Sequence, residues 1–129
     1  MAGELMWLAL SAGLILVLWV PYILAGVSEY GLFNAMKMVN DQSGLPDWAK
    51  RCYRAHMNMV ENLAPFAALV LVLNVSGKAD AATVTACAIF FLARLVHALI
   101  YVAGIPYVRT ASFAVGWAAC AFLFWQAIT

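Results

Sequence analysis

Charged residues are scarce in this sequence. Of the 129 residues, seven are Lys or Arg and six are Asp or Glu, so that 10% are charged while 67% are hydrophobic. In soluble domains roughly a quarter of the residues are charged. The net charge of +1 gives no electrostatic basis for binding nucleic acid. The composition therefore excludes a soluble nucleic-acid-binding protein and predicts a single integral membrane domain over residues 1–129.

Cysteine is also rare. The three cysteines, Cys52, Cys87 and Cys120, form no Cys-x-x-Cys pair and no other metal-ligand spacing. We interpret them as small buried hydrophobic residues, and a reactive Cys52 beside the arginines at positions 51 and 54 is a weaker alternative. The sequence also lacks a nucleotide-binding glycine loop, a zinc pattern and a nucleophile–base motif. We therefore expect no metal site.

A basic segment is missing ahead of the first hydrophobic run. The N-terminus has Glu4 where a signal peptide would have Lys or Arg. The run from Leu5 to Val27 is also longer than the roughly 7–15 residues of a signal-peptide core. We therefore predict that this segment is retained as a membrane span.

Long apolar runs make up most of the chain, and each exceeds or approaches the roughly 20 helical residues that a bilayer core requires. The predicted spans are residues 5–28, 48–75, 81–103 and 110–128. The first helix is expected to continue to Met38. A loop at 40–47 follows, and Asp47 is expected to be the N-cap of the second helix. Pro65 is expected to bend the second helix. Residues 104–109 are expected to form the last link. The predicted fold class is an all-α membrane protein, a bundle of four transmembrane helices.

Basic residues distinguish the two sides of this bundle. Those in or beside the first and third connections are Lys37, Lys50, Arg51, Arg54 and Arg109. The second connection, on the other side, has only Lys78. Because Lys and Arg accumulate in cytoplasmic loops, the first and third connections are expected to be cytoplasmic and both termini to lie outside the cytoplasm.

Polar residues of the second helix share one face. Arg54, Asn58 and Glu61 are spaced i, i+4 and i+7, and Arg51 joins this face one turn earlier. His56 lies off the face, so we do not assign it to a site. Ionisable groups are costly inside a membrane and tend to face a protein interior or a wet cavity. This face is therefore a candidate functional site.

The third helix has a second polar face. Arg94, His97 and Tyr101 are spaced i, i+3 and i+7, and Arg109 opens the fourth helix at the same level. In the predicted topology these groups gather with those of the second helix in the cytoplasmic half of the bilayer. Arginines with an amide, an imidazole and a phenol suit a small, anionic, hydrogen-bonding ligand.

Ion pairing within the bundle is the alternative explanation of these faces. Glu61 could pair with Arg54 or with Arg94 and thereby fix the register of the helices. One carboxylate cannot neutralise all the arginines of the two faces, so a ligand site is the better interpretation of the group.

The two faces together resemble a known family. The residues that carry the resemblance are Arg51-x-x-Arg54-Ala55-His56-x-Asn58-x-x-Glu61-x-x-x-Pro65-Phe66, then Ala93-Arg94-x-x-His97-x-x-x-Tyr101, then Arg109. This pattern is similar to that of the membrane-associated proteins in eicosanoid and glutathione metabolism, the MAPEG family. The resemblance spans nearly the whole chain and is closest to the branch of microsomal prostaglandin E synthase and microsomal glutathione transferase.

The resemblance implies a homotrimer of four-helix subunits, embedded in membrane lipid, that binds glutathione between neighbouring subunits. By matching position, the residues that would bind glutathione are Arg51, Arg54, Asn58, Glu61, Arg94, His97, Tyr101 and Arg109. Arg109 matches the family arginine that holds the glutathione thiolate. Tyr101 would assist it as a hydroxyl donor, so these two are the expected catalytic residues.

Three positions depart from the prostaglandin synthase pattern. Met57 stands in place of an arginine, Phe113 in place of a tyrosine and Thr110 in place of a serine. These departures argue against prostaglandin synthesis and favour conjugation of glutathione to a hydrophobic electrophile, or thiol-dependent reduction of lipid hydroperoxides. Two alternatives stay open. The family includes a lipid-binding member without transferase activity, and the chain could also be a purely structural membrane bundle.

Overall fold

The computed structural model describes residues 1–37 and 43–129, and these residues form five α-helices and no strand. The helices are α1 (Gly3–Tyr30), α2 (Leu32–Lys37), α3 (Asp47–Val75), α4 (Ala81–Ala103) and α5 (Pro106–Ile128). Four of them, α1, α3, α4 and α5, are long and apolar enough to cross a bilayer. The predicted class is confirmed: the chain is an all-α, integral, multi-pass membrane protein.

The start of the first connection differs from the expected structure. Helix α1 ends at Tyr30, and Gly31, with a φ of 80°, separates it from α2, so the helix does not continue unbroken. A positive φ is accessible to glycine at little steric cost, which explains the break at this position. Met38, and residues 40–42 of the expected loop, lie outside the described residues.

Helix α3 begins one position away from the expected cap. Pro46 occupies the N-cap position, with extended backbone, and Asp47 is the first helical residue. Proline cannot donate a hydrogen bond, and the negative charge of Asp47 is favourable in the first turn of a helix. The prediction that Asp47 is the N-cap was therefore wrong. Helix α3 then continues through Pro65 to Val75.

Helix α5 begins at Pro106, earlier than the expected start at Thr110. Proline suits the first helical position because its φ is already helical and the N–H at that position has no partner within the helix. The link after α4 is therefore only Gly104 and Ile105. Gly104 has a left-handed φ of 81°, and its N–H donates to the carbonyls of the last turn of α4. Arg109 consequently lies on α5 and not in a link.

The core lies where the four long helices meet. Phe66 of α3 and Phe90 of α4 are fully buried, and their rings stack with centroids 3.9 Å apart. Helix α4 packs mainly against α5, and α1 mainly against α3. Large apolar side chains such as Leu99 and Trp117 are exposed on the outer surface. An apolar exterior is what a helix bundle presents to lipid.

Side chains tie the helices together at the end where α1 and α4 begin. Glu4 is 3% exposed, and its Oε1 accepts a hydrogen bond from Thr83 Oγ1 at 2.6 Å. Asp80 and Thr83 form a capping box that begins α4. At the same end Lys78 Nζ donates to the carbonyl of Ala127, 2.8 Å away, near the end of α5. We call this the Glu4 end. The polar residues singled out in the sequence lie toward the opposite end.

Candidate functional site

Arg94 and Asn58 connect α4 to α3. Arg94 is 1% exposed, and its Nη2 donates to Asn58 Oδ1. Gly116 on α5 provides the space for this arginine, because a Cβ at Gly116 would lie 3.3 Å from Arg94 Cδ. Asn62 donates from Nδ2 to the carbonyl of Asn58 at 2.8 Å. The structure thus brings together one residue from each of the two polar faces.

Other buried polar atoms of the same group have no protein partner within the described residues. These atoms are Nε and Nη1 of Arg94 and Nδ1 of His97, all of them buried. Glu61 is exposed and Arg94 bonds Asn58, so the structure does not show the Arg94–Glu61 pair considered as an alternative to a ligand site. A buried guanidinium is costly unless a negative or strongly accepting group compensates it. The arrangement suits an anionic or accepting ligand group.

His97, Tyr101 and Arg109 continue the group toward the start of α5. The ring centroids of His97 and Tyr101 are 5.5 Å apart. The guanidinium carbon of Arg109 lies 4.7 Å from the centroid of the Tyr101 ring. His97 is 2% exposed, whereas Tyr101 and Arg109 are half-buried. We call Asn58, Arg94, His97, Tyr101 and Arg109 the polar column. It runs from the buried Arg94 to the partly accessible Arg109, whose cation lies on the face of an aromatic ring.

Phe113 covers the inner part of this column. Its ring centroid lies 5.8 Å from the guanidinium carbon of Arg94 and 6.2 Å from the ring centroid of His97. The prostaglandin synthase pattern has a tyrosine at this position, and its hydroxyl is therefore missing here. The neighbouring Arg94 and His97 both have buried polar atoms without a partner among the described residues. Thr110 Oγ1 is 3.4 Å from the carbonyl of Pro106, and Met57 is exposed on α3.

Arg54 and Glu61 do not join the column within one subunit. Both are exposed on the outer side of α3, although Asn58, between them in the sequence, is half-buried. Arg51 is directed elsewhere again: its Nε donates to the carbonyl of Val102, 2.8 Å away. Of the eight residues predicted from the sequence, the structure brings together Asn58, Arg94, His97, Tyr101 and Arg109.

A second polar contact, between α1 and α3, was not anticipated from the sequence. His56 Nδ1 lies 3.1 Å from the hydroxyl of Tyr22, and the His56 ring stacks on Trp19 with centroids 5.1 Å apart. His56 is 4% exposed, and its Nε2 has no partner within the described residues. The residues concerned are far apart in the chain, and no local spacing connects them. The aromatic residues near the end of α1 were the only signal.

Within the part of the chain that the structure describes, cysteines and potential metal ligands do not form a second site. Cys52 and Cys87 are buried, Cys120 is partly buried, and all are free thiols. Cys52 Sγ contacts the carbonyl of Leu18 at 3.4 Å. Over residues 1–37 and 43–129, no three His, Cys, Asp or Glu side chains are arranged to hold a metal ion.

Comparison with known proteins identifies the family. A search of curated proteins finds no match. The sequence model of the MAPEG family matches residues 6–129, which include α3, α4 and α5, all of α1 except its first three residues, and every residue of the polar column. The chain belongs to the MAPEG family.

Proposed function

We propose that this protein is a membrane-bound, glutathione-dependent transferase that joins the sulfur of glutathione to hydrophobic electrophiles. The MAPEG family includes glutathione transferases and synthases. The observation that carries the proposal is the buried guanidinium of Arg94, whose Nε and Nη1 have no partner among the described residues. Glutathione has two carboxylates, two amide groups and a thiol, so it can supply acceptors to such donors.

The polar column fits a ligand of this kind. Arg94 offers buried donors, His97 offers a buried ring nitrogen that can donate or accept, and Asn58 offers an amide with one acceptor and two donors. Toward the accessible end, Arg109 provides a permanent positive charge. We assign the glutathione backbone and carboxylates to the inner groups and the sulfur to Arg109.

Arg109 would activate the nucleophile. A free thiol has a pKa of about 8.5 and is mostly protonated at neutral pH, whereas the thiolate is the reactive form. An adjacent guanidinium lowers the thiol pKa, and each unit of that shift corresponds to about 1.4 kcal/mol. The thiol proton passes to water, the sulfur electron pair forms a bond to the electrophilic atom, and the leaving group departs with its electrons. Tyr101, whose ring lies under Arg109, would donate a hydrogen bond from its hydroxyl to the sulfur or to the substrate.

The exposed residues of α3 support a homotrimer. Arg54 and Glu61 are charged residues on a helix that is long and apolar enough to cross the membrane, yet both are exposed in one subunit. Charged groups in such helices usually face protein or a water-filled cavity. A neighbouring copy that covers this face would bring both residues to a shared glutathione site, and electrophiles would enter from lipid along the same boundary.

The basic residues support one orientation of the subunit. Arg109, Arg51 and Lys50 lie at the end of the bundle opposite Glu4 and Lys78. By the positive-inside tendency, that end faces the cytoplasm and both termini lie outside it. The proposed site would then open toward the compartment where glutathione is abundant. We further propose that residues 1–129 form one domain of the glutathione transferase and prostaglandin E synthase branch.

Thiolate absorbance tests the proposal. Glutathione is titrated into the purified protein while the thiolate band at about 240 nm is followed by difference spectroscopy. We expect a band in the native protein and in Lys37→Ala, which removes an exposed cation from α2, and no band in Arg109→Ala. Absence of the band in the native protein, or its survival in Arg109→Ala, would refute thiolate activation by Arg109. A co-purifying lipid without thiol binding would favour the non-enzymatic alternative.

A further inference from the structure

Arg51 bonds the end of α4. Its Nε donates to the carbonyl of Val102 at 2.8 Å, and Val102 lies in the last turn of that helix. The last carbonyls of a helix have no partner within the helix, and its C-terminus has a partial negative charge. A guanidinium there satisfies one of these acceptors and also provides the favourable charge. Arg51, a residue of α3, therefore caps the C-terminus of α4.

The same guanidinium packs against the α4–α5 link. A Cβ placed on Gly104 would lie 3.4 Å from Arg51 Nε and 3.5 Å from its guanidinium carbon. The link consists of Gly104 and Ile105 alone, and the N–H groups of both donate to the carbonyl of Ile100. With so few residues, a displacement of the end of α4 is transmitted directly to the start of α5.

The bond to Val102 is adjacent to the accessible part of the polar column. Tyr101 precedes Val102, and Arg109 is the fourth residue of α5, in the first turn beyond the link. The 4.7 Å separation between Arg109 and the Tyr101 ring therefore spans the two helix ends that Arg51 ties together. Along the chain, only Gly104 and Ile105 separate these two helix ends.

We propose that Arg51 is a positioning residue: it holds the α4–α5 link so that Arg109 remains over Tyr101, and it acts on the bound thiol through Arg109 without contacting glutathione. The consequence for the thiol rests on the proposed function, whereas the restraint on the link does not. This assigns to Arg51 a role different from the glutathione contact that the family resemblance implied.

Hydrogen exchange tests the restraint without any ligand. The amides of Gly104 and Ile105 are hydrogen-bonded in the native protein, so their exchange reports opening of the link. In Arg51→Ala we expect them to exchange at least about tenfold faster, with partial recovery in Arg51→Lys, which keeps a cationic donor. Lys50→Ala removes the preceding cation and should leave exchange unchanged. Unchanged exchange in Arg51→Ala would overturn the proposal.

The midpoint of thiolate absorbance against pH tests the consequence. In Arg51→Ala it should rise by about 0.5–1 unit, because a less constrained Arg109 stabilises the thiolate less. Gly104→Ala should shift it in the same direction, since an L-residue is strained at a φ of 81° and this strain falls on the link where it contacts Arg51. Gly77→Ala is the matched control: its φ is 72°, but nothing lies within 4 Å of the added Cβ. Equal shifts from Gly77→Ala and Gly104→Ala would contradict the mechanism.

A double variant separates positioning from direct binding. In an Arg109→Ala background, Arg51→Ala should weaken glutathione binding no further, because its effect passes through Arg109. A further loss of more than about threefold would show direct contact and overturn the proposal. If the native protein forms no thiolate, the proposed function fails, and the exchange of the link amides alone decides whether Arg51 restrains the link.

Discussion

Replacing Arg94 by methionine should separate ligand binding from stability. Arg94 is 1% exposed and donates one hydrogen bond, to Asn58, within the described residues. A hydrogen bond from a charged group contributes about 1.5–3 kcal/mol. Burying the ion costs several kcal/mol, and replacing whole buried ion pairs by apolar residues is often neutral or stabilising by about 1–4 kcal/mol. We therefore expect Arg94→Met to leave the free energy of unfolding unchanged or to raise it.

Glutathione binding should respond in the opposite way. Removing one member of a buried, hydrogen-bonded charge contact costs about 2–5 kcal/mol, so affinity should fall by at least about 30-fold. Stability is measured by unfolding in mixed micelles, and affinity by calorimetric titration of glutathione into the same preparation. Both are measured on each variant, because either result alone would fit more than one role of Arg94.

Asn58 provides the companion experiment. Asn58→Leu leaves Arg94 buried without its amide partner, and breaking a buried charged contact in this way costs about 3–5 kcal/mol. Adding Arg94→Met to Asn58→Leu should restore most of that stability, since no unpaired charge is then left. If Arg94→Met alone lowers the free energy of unfolding by more than about 2 kcal/mol while glutathione still binds, Arg94 is a structural residue and the reasoning is wrong.

Two further substitutions address the ends of the bundle. Thr83→Val removes the donor to Glu4 and half of the capping box, so it should lower the free energy of unfolding by about 2–4 kcal/mol. Calorimetric titration should show an unchanged affinity for glutathione. Thr85→Val, which affects an exposed hydroxyl of the same helix, is its control. Phe113→Tyr should raise glutathione affinity about two- to tenfold by adding a hydroxyl near His97, whereas Phe122→Tyr, at a similarly exposed α5 position, should not.

The helices could be anticipated from the sequence to the extent that their limits are set by local chemistry. Apolar length alone predicted four membrane-crossing segments, and the structure has four such helices. The errors occurred where the backbone property of a single residue sets the limit of a helix. Gly31 breaks the first helix by its positive φ, and Pro106 begins α5 because it needs no hydrogen-bond donor. Both residues are common in turns, and their presence alone does not indicate whether a helix ends or begins there.

The candidate site was predictable along a helix but not between helices. Helical spacing placed His97 and Tyr101 on one face of α4, and their rings do lie 5.5 Å apart. That Asn58 and not Glu61 would meet Arg94 depends on how far α3 is rotated and translated against α4. Packing sets that register, and intra-helical spacing does not contain it. The contact of Arg51 with Val102 was hidden for the same reason.

The hydrogen bonds at the Glu4 end restrain that end of the bundle. Glu4 and Thr83 join α1 to α4, and Lys78 reaches the end of α5, all at one end of the molecule. Helix α4 has 23 residues, which at 1.5 Å per residue gives a length of about 34 Å. Pivoting by roughly 2° about the tied end would move the other end by about 1.2 Å, with almost no displacement at the pivot. Such a pivot would displace Tyr101 most, and the bond of Arg51 to Val102 opposes it there, where a shift of about 1 Å would alter the geometry on which reactivity depends.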